Sequence, residues 1–192
     1  MLELYVALMH YPVVNKNGDI IASAVTNLDL HDIARAAKTY GVKAFYVVTP
    51  LKDQQELVMK LLSHWTTGAG TNCNKVRGEA LELAKISENL DEVITEITKQ
   101  TGRAPKTVVT SAKKNMRNIS FNSLRQNLKE GNPYLLLFGT AWGFSEQFIS
   151  DADYVLSPIM ADSDYNHLSV RSAVSVVLDR LKGDYRGSYA ND

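Results

Sequence analysis

Only one cysteine, Cys73, occurs in the chain, so neither an intramolecular disulfide nor a cysteine-cluster metal site can be built from it, and a reducing cytoplasm is the compartment it fits. Net charge is also missing: Lys plus Arg and Asp plus Glu each number 21, so bulk charge points to no polyanionic partner. No apolar run approaches the length of a membrane span, and the opening residues, MLELYVALMHYP, carry no basic leader, which reads against export and insertion. No Pro- or Gly-rich joint divides the chain, and no internal repeat or low-complexity segment is visible. With 192 residues the expectation is one domain, 1–192, around one substantial core.

Charge is uneven locally. From Ile97 to Lys129 there are eight basic residues, namely Lys99, Arg103, Lys106, Lys113, Lys114, Arg117, Arg125 and Lys129, and no acid. From Gly131 to Val170 the pattern reverses, with five acids and no lysine or arginine. The basic stretch is a candidate polyanion surface, and its plain alternative is a solvated face of two helices and a strand.

Apolar runs rich in β-formers, LELYVALMHY, KAFYVVTP, TVVTS, YLLLFGT and DYVLSP, read as buried strands. Helical patterns fall between them: LDLHDIARAAKTYG, LKDQQELVMKLLSHW, RGEALELAKI, NLDEVITEITKQTG and SLRQNLKEG, with a last helix from about Asn166 to Leu181. Alternation of this kind predicts an α/β fold, an open parallel sheet with helices on both faces. Ligands in such sheets lie beyond the carboxyl ends of the strands, which directs attention to the loops after Thr110, Leu137 and Leu156.

The loop in LLLFGTAWGF places Gly139 and Gly143 directly after a strand, where backbone approaches a ligand freely. Neither G-x-G-x-x-G nor G-x-x-x-x-G-K follows a strand, so no dinucleotide or triphosphate fingerprint is present. The loop WTTGAGTNCNKVRG follows a helix instead, and its Lys75 and Arg77 are candidates for closing over an anionic substrate. His10, His31, His64 and His167 stand on separate elements without ligand spacing, so no metal is expected, and solvated or capped histidines are the reading. Neither Ser111 nor Ser145 has a nucleophile-elbow setting. Arg35, beside the apolar face of LDLHDIARAAKTYGV, is where an arginine calls for an anionic partner.

Three segments together resemble the SPOUT superfamily of RNA methyltransferases, and the whole chain is similar to its small single-domain members. LDLHDIARAAKTYGV resembles the first motif, with Asp29, Arg35, Tyr40 and Gly41 in its places. LLLFGTAWGFSEQFISDADYVLSPI resembles the second, and NHLSVRSAVSVVL the third.

The resemblance implies a C-terminal trefoil knot and a homodimer paired across the cofactor cleft. It also implies S-adenosylmethionine bound by Thr110, Leu137, Phe138, Gly139, Thr140, Gly143, Leu156, Ser157, Pro158, Ile159, Asn166, His167, Leu168, Ser169, Arg171 and Ser172. RNA, either tRNA or rRNA, is the implied substrate, with Lys75, Arg77, Lys113, Lys114 and Arg117 as candidate contacts. Arg35 is the candidate catalytic residue, and Asp32 or Asp164 the base for a ring-nitrogen acceptor. Thr140-Ala141 and Ser169-Val170-Arg171 stand where members acting on ribose hydroxyls have Asn-Glu and Asn-x-Ser, so the acceptor atom stays open, as does Arg171 between an electrostatic role and RNA phosphate. A non-catalytic nucleotide-binding or protein-interaction module and a small-molecule methyltransferase are the alternatives.

Overall fold

A computed structural model describes residues 2–70, 74–113, 118–163 and 165–183. Seven parallel strands make one sheet: β1 (Leu4–Met9), β4 (Phe45–Val48), β5 (Ala84–Ser87), β6 (Lys106–Val109), β7 (Asn118–Ile119), β8 (Tyr134–Gly139) and β9 (Tyr154–Leu156). Their order is β5-β4-β1-β8-β6-β9-β7, and a separate antiparallel pair, β2 (Val13–Val14) and β3 (Ile20–Ile21), follows the end of β1. The helices are α1 (Asn27–Thr39), α2 (Lys52–Thr66), α3 (Lys75–Leu81), α4 (Leu90–Thr101), α5 (Phe121–Asn127), α6 (Glu146–Asp151) and α7 (Val170–Lys182).

Side chains alternate across each strand, so each buried strand feeds two cores. Leu4, Val6 and Leu8 of β1 join Phe45, Val47, Leu136 and Phe138 against α1, α5 and α7. Tyr5, Ala7 and Met9 join Tyr46, Val48, Leu135 and Leu137 against Val93 and Ile97 of α4, with Phe148 and Ile149 of α6 at the margin. The predicted helices on both faces are therefore present. Each fully buried Leu, Val or Phe contributes about 1.5–3 kcal/mol, and two such layers hold the sheet rigid under its loops.

Local signals agree with these elements where the chemistry is strong. Asn89 caps α4 by accepting from the Glu92 amide, and Gly102 closes it at φ 74, a left-handed conformation that glycine adopts without steric cost.

Two expectations are corrected. RGEALELAKI does not continue as helix: α3 ends at Leu81, and Ala84–Ser87 pairs with β4 instead. Its helix-forming residues lose to the exposed edge of β4, whose backbone groups need partners. The β2–β3 pair and β7, two residues each, are too short for any periodicity to show. The last helix begins at Val170 rather than Asn166, because the Ser169 hydroxyl accepts from the Ser172 amide and caps it there.

From β1 the chain moves outward through β4 to β5, then crosses to β6 on the other side of β8. That reversal opens a crevice at the carboxyl ends of β1, β8, β6 and β9. No helix among the described residues is long and apolar enough to cross a membrane.

Candidate cofactor cleft and substrate surface

β8 ends in a tight turn, closed by the Gly143 amide donating to the Thr140 carbonyl at 2.9 Å. Ala141 sits at φ 50 and Gly143 at φ 87. A Cβ on Gly139 would come within 3.1 Å of both Gly143 Cα and the Phe144 ring, so this glycine lets the turn fold back on its own strand. The β2–β3 pair braces the turn from outside: the Val14 amide donates to the Gly143 carbonyl at 2.9 Å and the Trp142 amide to the Val14 carbonyl at 3.1 Å.

Beneath the turn lies a hydroxyl relay. Thr140 Oγ1 donates to the Met9 carbonyl at 3.0 Å, which uses its only proton. The 2.5 Å contact between Ser23 Oγ and Thr140 Oγ1 is then donated by Ser23, and the 2.9 Å contact between His10 Nδ1 and Ser23 Oγ by the histidine. His10 is fully buried, and desolvation pushes its pKa down to about 4 against the smaller opposing pull of Asp29 and the Ala24 carbonyl. The expectation of a solvated or capped histidine fails at His10: it is a neutral core group that ties β1 to the motif turn. Its position at the end of an apolar strand run was the available signal.

The neighbouring loops are pinned to the same rim. Thr110 donates through its amide at 3.0 Å and its hydroxyl at 2.9 Å to the Leu137 carbonyl. Ser157 does the same to the Ile119 carbonyl at 2.9 and 3.1 Å. Asn166 donates to the Ala112 carbonyl at 2.9 Å and reaches Met160 Sδ at 3.5 Å, joining the loop after β6 to the one after β9. Strands lie about 4.8 Å apart, so the order β8-β6-β9 brings Gly139–Gly143, Thr110–Lys113 and Ser157–Ser169 together.

Not every predicted cofactor residue offers its side chain there. Leu137, Phe138 and Leu156 point into the two cores and Pro158 is buried, so these contribute main chain at most, and the Leu137 carbonyl is already taken twice. Ile159 packs against the core, whereas His167, Leu168, Ser169 and Ser172 are exposed.

The residues suit S-adenosylmethionine in one respect that the structure shows. The main-chain groups of Ile159, His167 and Leu168 make no hydrogen bond among the described residues, and the exposed side chains of Met160 and Leu168 lie on the same segment. Free amides and carbonyls beside apolar surface match a purine edge and the methylene groups of an amino-acid chain.

α1 forms the next wall. Thr26 caps it, accepting from the Asp29 amide at 3.2 Å and donating to Asp29 Oδ2 at 2.7 Å. Asp29 Oδ1 takes Arg171 Nη1 at 3.2 Å, and Arg171 Nε lies 3.5 Å from Asp32 Oδ2. Arg171 is thus paired with two carboxylates, and an RNA phosphate at this place would compete with them for its charge. Asp32, the base candidate, is held by the same arginine. Arg35 is exposed and its side chain makes no hydrogen bond or ion pair among the described residues.

His31, one turn before Arg35, meets Trp65 edge-on at 5.4 Å, and the Arg77 guanidinium lies 4.9 Å over the Trp65 ring. Burial lowers the His31 pKa first, the Arg77 and Arg35 cations lower it further, and Asp32 opposes them. Lys75 is exposed on the same short helix as Arg77.

The basic stretch does not form one surface. Lys106 begins β6 at the amino rim and is bound to Asp153 at 2.8 Å, while Arg103 donates to Asn132 at the same end. Lys113 is exposed just past the carboxyl end of β6, beside the cleft. About 3.3 Å per residue along the strand separates the two groups by more than 20 Å of chain. Lys114, Arg117 and Asp164 lie outside the described residues. A cavity of about 540 Å³, lined by Glu3, Tyr5, Lys43 and Arg103 among others, opens at the amino rim and shares nothing with these loops.

A family model described as SAM-dependent RNA methyltransferase matches residues 3–183. Over 182 residues the chain is 44% identical to a tRNA (guanine-N(1)-)-methyltransferase of Oleidesulfovibrio alaskensis. It is 45% identical over 182 residues to one of Nitratidesulfovibrio vulgaris. Each alignment takes in 95% of this chain and 42% of the relative, so the chain spans about two fifths of the length of these curated relatives. Among solved structures, the SpoU methyltransferase AviRb from Streptomyces viridochromogenes, in complex with AdoMet, aligns at 19% identity over 92% of this chain and 56% of that one, with a TM-score of 0.55. That likeness speaks for the fold alone.

Proposed function

The chain belongs to the family of SAM-dependent RNA methyltransferases, and on that premise we propose that it transfers a methyl group from S-adenosylmethionine to a nucleotide of tRNA. The curated relatives bear a tRNA methyltransferase name, but the longer part of each has no counterpart here. The guanine-N1 position in that name therefore belongs to those proteins as wholes, and the acceptor atom of this chain is set by experiment.

When bound, S-adenosylmethionine supplies a methyl carbon already activated by its sulfonium. The protein's share is then alignment and removal of the acceptor's proton. The Thr140–Gly143 turn and the main chain of Ile159, His167 and Leu168 hold the cofactor. Arg35 orients the acceptor from α1, and Asp32 takes the proton where the acceptor is a ring nitrogen. Lys113 grips phosphate beside the cleft. The C-terminal segment after β9 threads a trefoil knot, as the SPOUT fold has it. Two copies pair across the carboxyl rim, where Leu28, Trp142 and Leu168 are exposed apolar side chains. The single cysteine suits work in the cytoplasm.

The observation that carries this reading is the exposed Arg35, without a side-chain hydrogen bond or ion pair among the described residues, on a helix whose start is locked to the start of α7. The test is to incubate the protein with radiolabelled S-adenosylmethionine and unfractionated tRNA, then map the labelled nucleotide by nuclease digestion and mass spectrometry. Label in one nucleotide position supports it, and absence of label from tRNA, with saturating cofactor bound, overturns it.

A further inference from the structure

Across α1 from the cofactor loops lies a second cluster. α1 packs against α7 on one flank and against α3 on the other. Asp29 and Asp32 serve the α7 flank through Arg171, whereas His31 meets Trp65 at 5.4 Å and feels the charge of Arg77 of α3 and of Arg35, which stands one turn along the same stripe of the helix.

The way Arg77 is held matters most. No carboxylate among the described residues pairs with it, and its guanidinium rests instead over the Trp65 ring at 4.9 Å. That ring is itself fixed: a Cβ on Gly70 would come within 2.8 Å of it, and one on Gly78 within 2.7 Å of the Trp65 carbonyl. An arginine positioned by an aromatic face keeps its full charge and its fork of donors for an external anion, whereas one positioned by an acid does not. Arg35 is likewise uncommitted, and Asp32, the acid bearing on His31, is shared with Arg171 at 3.5 Å.

We propose that His31 and Arg77, with Trp65 as the plate that fixes Arg77, form a subsite for one phosphodiester of the substrate RNA. The planar guanidinium fork matches phosphate oxygens bidentately, and His31 supplies a further ring nitrogen at the same place. Burial, and after it the charge of Arg77, lowers the His31 pKa, so the ring is neutral at pH 7 and offers phosphate a hydrogen bond rather than a charge. This deepens the proposed function and rests on it.

The test is a fluorescence-anisotropy titration of end-labelled tRNA at several salt concentrations, comparing the unsubstituted protein with Arg77→Ala, Arg77→Lys and, at the opposite rim, Arg103→Ala. Expected for Arg77→Ala are roughly fivefold to tenfold weaker binding and a log–log salt slope shallower by about 1. Arg77→Lys is expected to recover the slope with only part of the affinity, and Arg103→Ala to match the unsubstituted protein. Calorimetry with S-adenosylmethionine on Arg77→Ala, giving unchanged affinity, shows that the cleft is still folded. A slope unchanged by Arg77→Ala, in a protein that binds and methylates tRNA, overturns the subsite alone. Absence of tRNA binding by the unsubstituted protein overturns both the subsite and the proposed function.

Discussion

Arg171, in the first turn of α7, reaches Asp29, in the first turn of α1, at 3.2 Å, although the two stand at opposite ends of the chain. Asp29 is nearly buried and already bonded to its cap, Thr26, so the contact fuses the starts of two helices that border the cleft. Asp29→Ala is expected to cost about 2 kcal/mol through a lost charge-assisted bond and a weakened cap. It is also expected to weaken S-adenosylmethionine binding by loosening the segment before α7. Urea unfolding and calorimetry check both, and cofactor affinity equal to that of the unsubstituted protein would detach this contact from the site.

Arg35 has the opposite character, being a cation with no hydrogen-bond or ion-pair partner for its side chain among the described residues. Arg35→Ala is expected to lower turnover by at least about 100-fold, the usual scale for losing an oriented charge at a reacting centre. Cofactor affinity and melting temperature should stay the same, because nothing in the structure leans on its side chain. A fall of less than threefold or so removes Arg35 from the chemistry.

Gly143 holds φ 87 with open space around its missing side chain, so strain rather than collision decides the effect of a substitution. Gly143→Ala is expected to cost about 1–2 kcal/mol and to shift the turn. Gly139→Ala forces a clash at 3.1 Å with the Phe144 ring and Gly143 Cα, and its cost depends on whether that ring gives way. Differential scanning calorimetry with and without S-adenosylmethionine measures both, and a Gly143→Ala protein with unaltered melting temperature and ligand shift contradicts the account.

His10 makes the fold acid-sensitive. Its folded pKa of about 4 lies below the ordinary histidine value of 6.5 because burial disfavours the charged ring. Above pH 6.5 both folded and unfolded chains hold it neutral and its contribution is complete. Between 6.5 and about 4 the unfolded chain takes the proton first, so stability falls, by up to about 3 kcal/mol. His10→Asn, which keeps a donor for Ser23, is expected to unfold more readily at pH 7 but to lose less between pH 7 and pH 4.5. Urea midpoints at the two pH values decide it, and parallel losses in both proteins would exclude His10 as the titrating group.

Lys106 and Lys113 belong to one basic run in the sequence but have separate tasks in the structure. Lys106→Ala should lower stability, since Lys106 and both donors of Thr107 converge on Asp153 and hold β6 to β9, while leaving the salt dependence of tRNA binding alone. Lys113→Ala should make the salt slope shallower by about 1 without loss of stability. A shallower slope for Lys106→Ala would restore the continuous basic surface that the sequence suggested.

The helical patterns LDLHDIARAAKTYG and NLDEVITEITKQTG and the apolar runs of β1, β4 and β8 are local properties, and all read correctly in the sequence. Ala84–Ser87 did not, because four residues of mixed character become a strand only when the free edge of β4 lies beside them. The start of α7 was misplaced for a related reason: Asn166 and His167 continue the helical pattern, but Asn166 is drawn away to the Ala112 carbonyl. At the turn after β8, Gly139 and Gly143 were legible from turn chemistry. His10, Ser23 and the division of Arg171 between Asp29 and Asp32 were not, since each depends on partners far away in the chain.

Hydrophobic period, turn residues and the order of strands and helices are written along the chain, and they specify an α/β sheet with its ligand rim at the carboxyl ends. Which charges are spent and which remain free for a ligand is decided only when distant segments meet. An arginine beside two carboxylates and an arginine over an indole ring look alike in sequence, and their difference lies in what the folded neighbours leave unsatisfied.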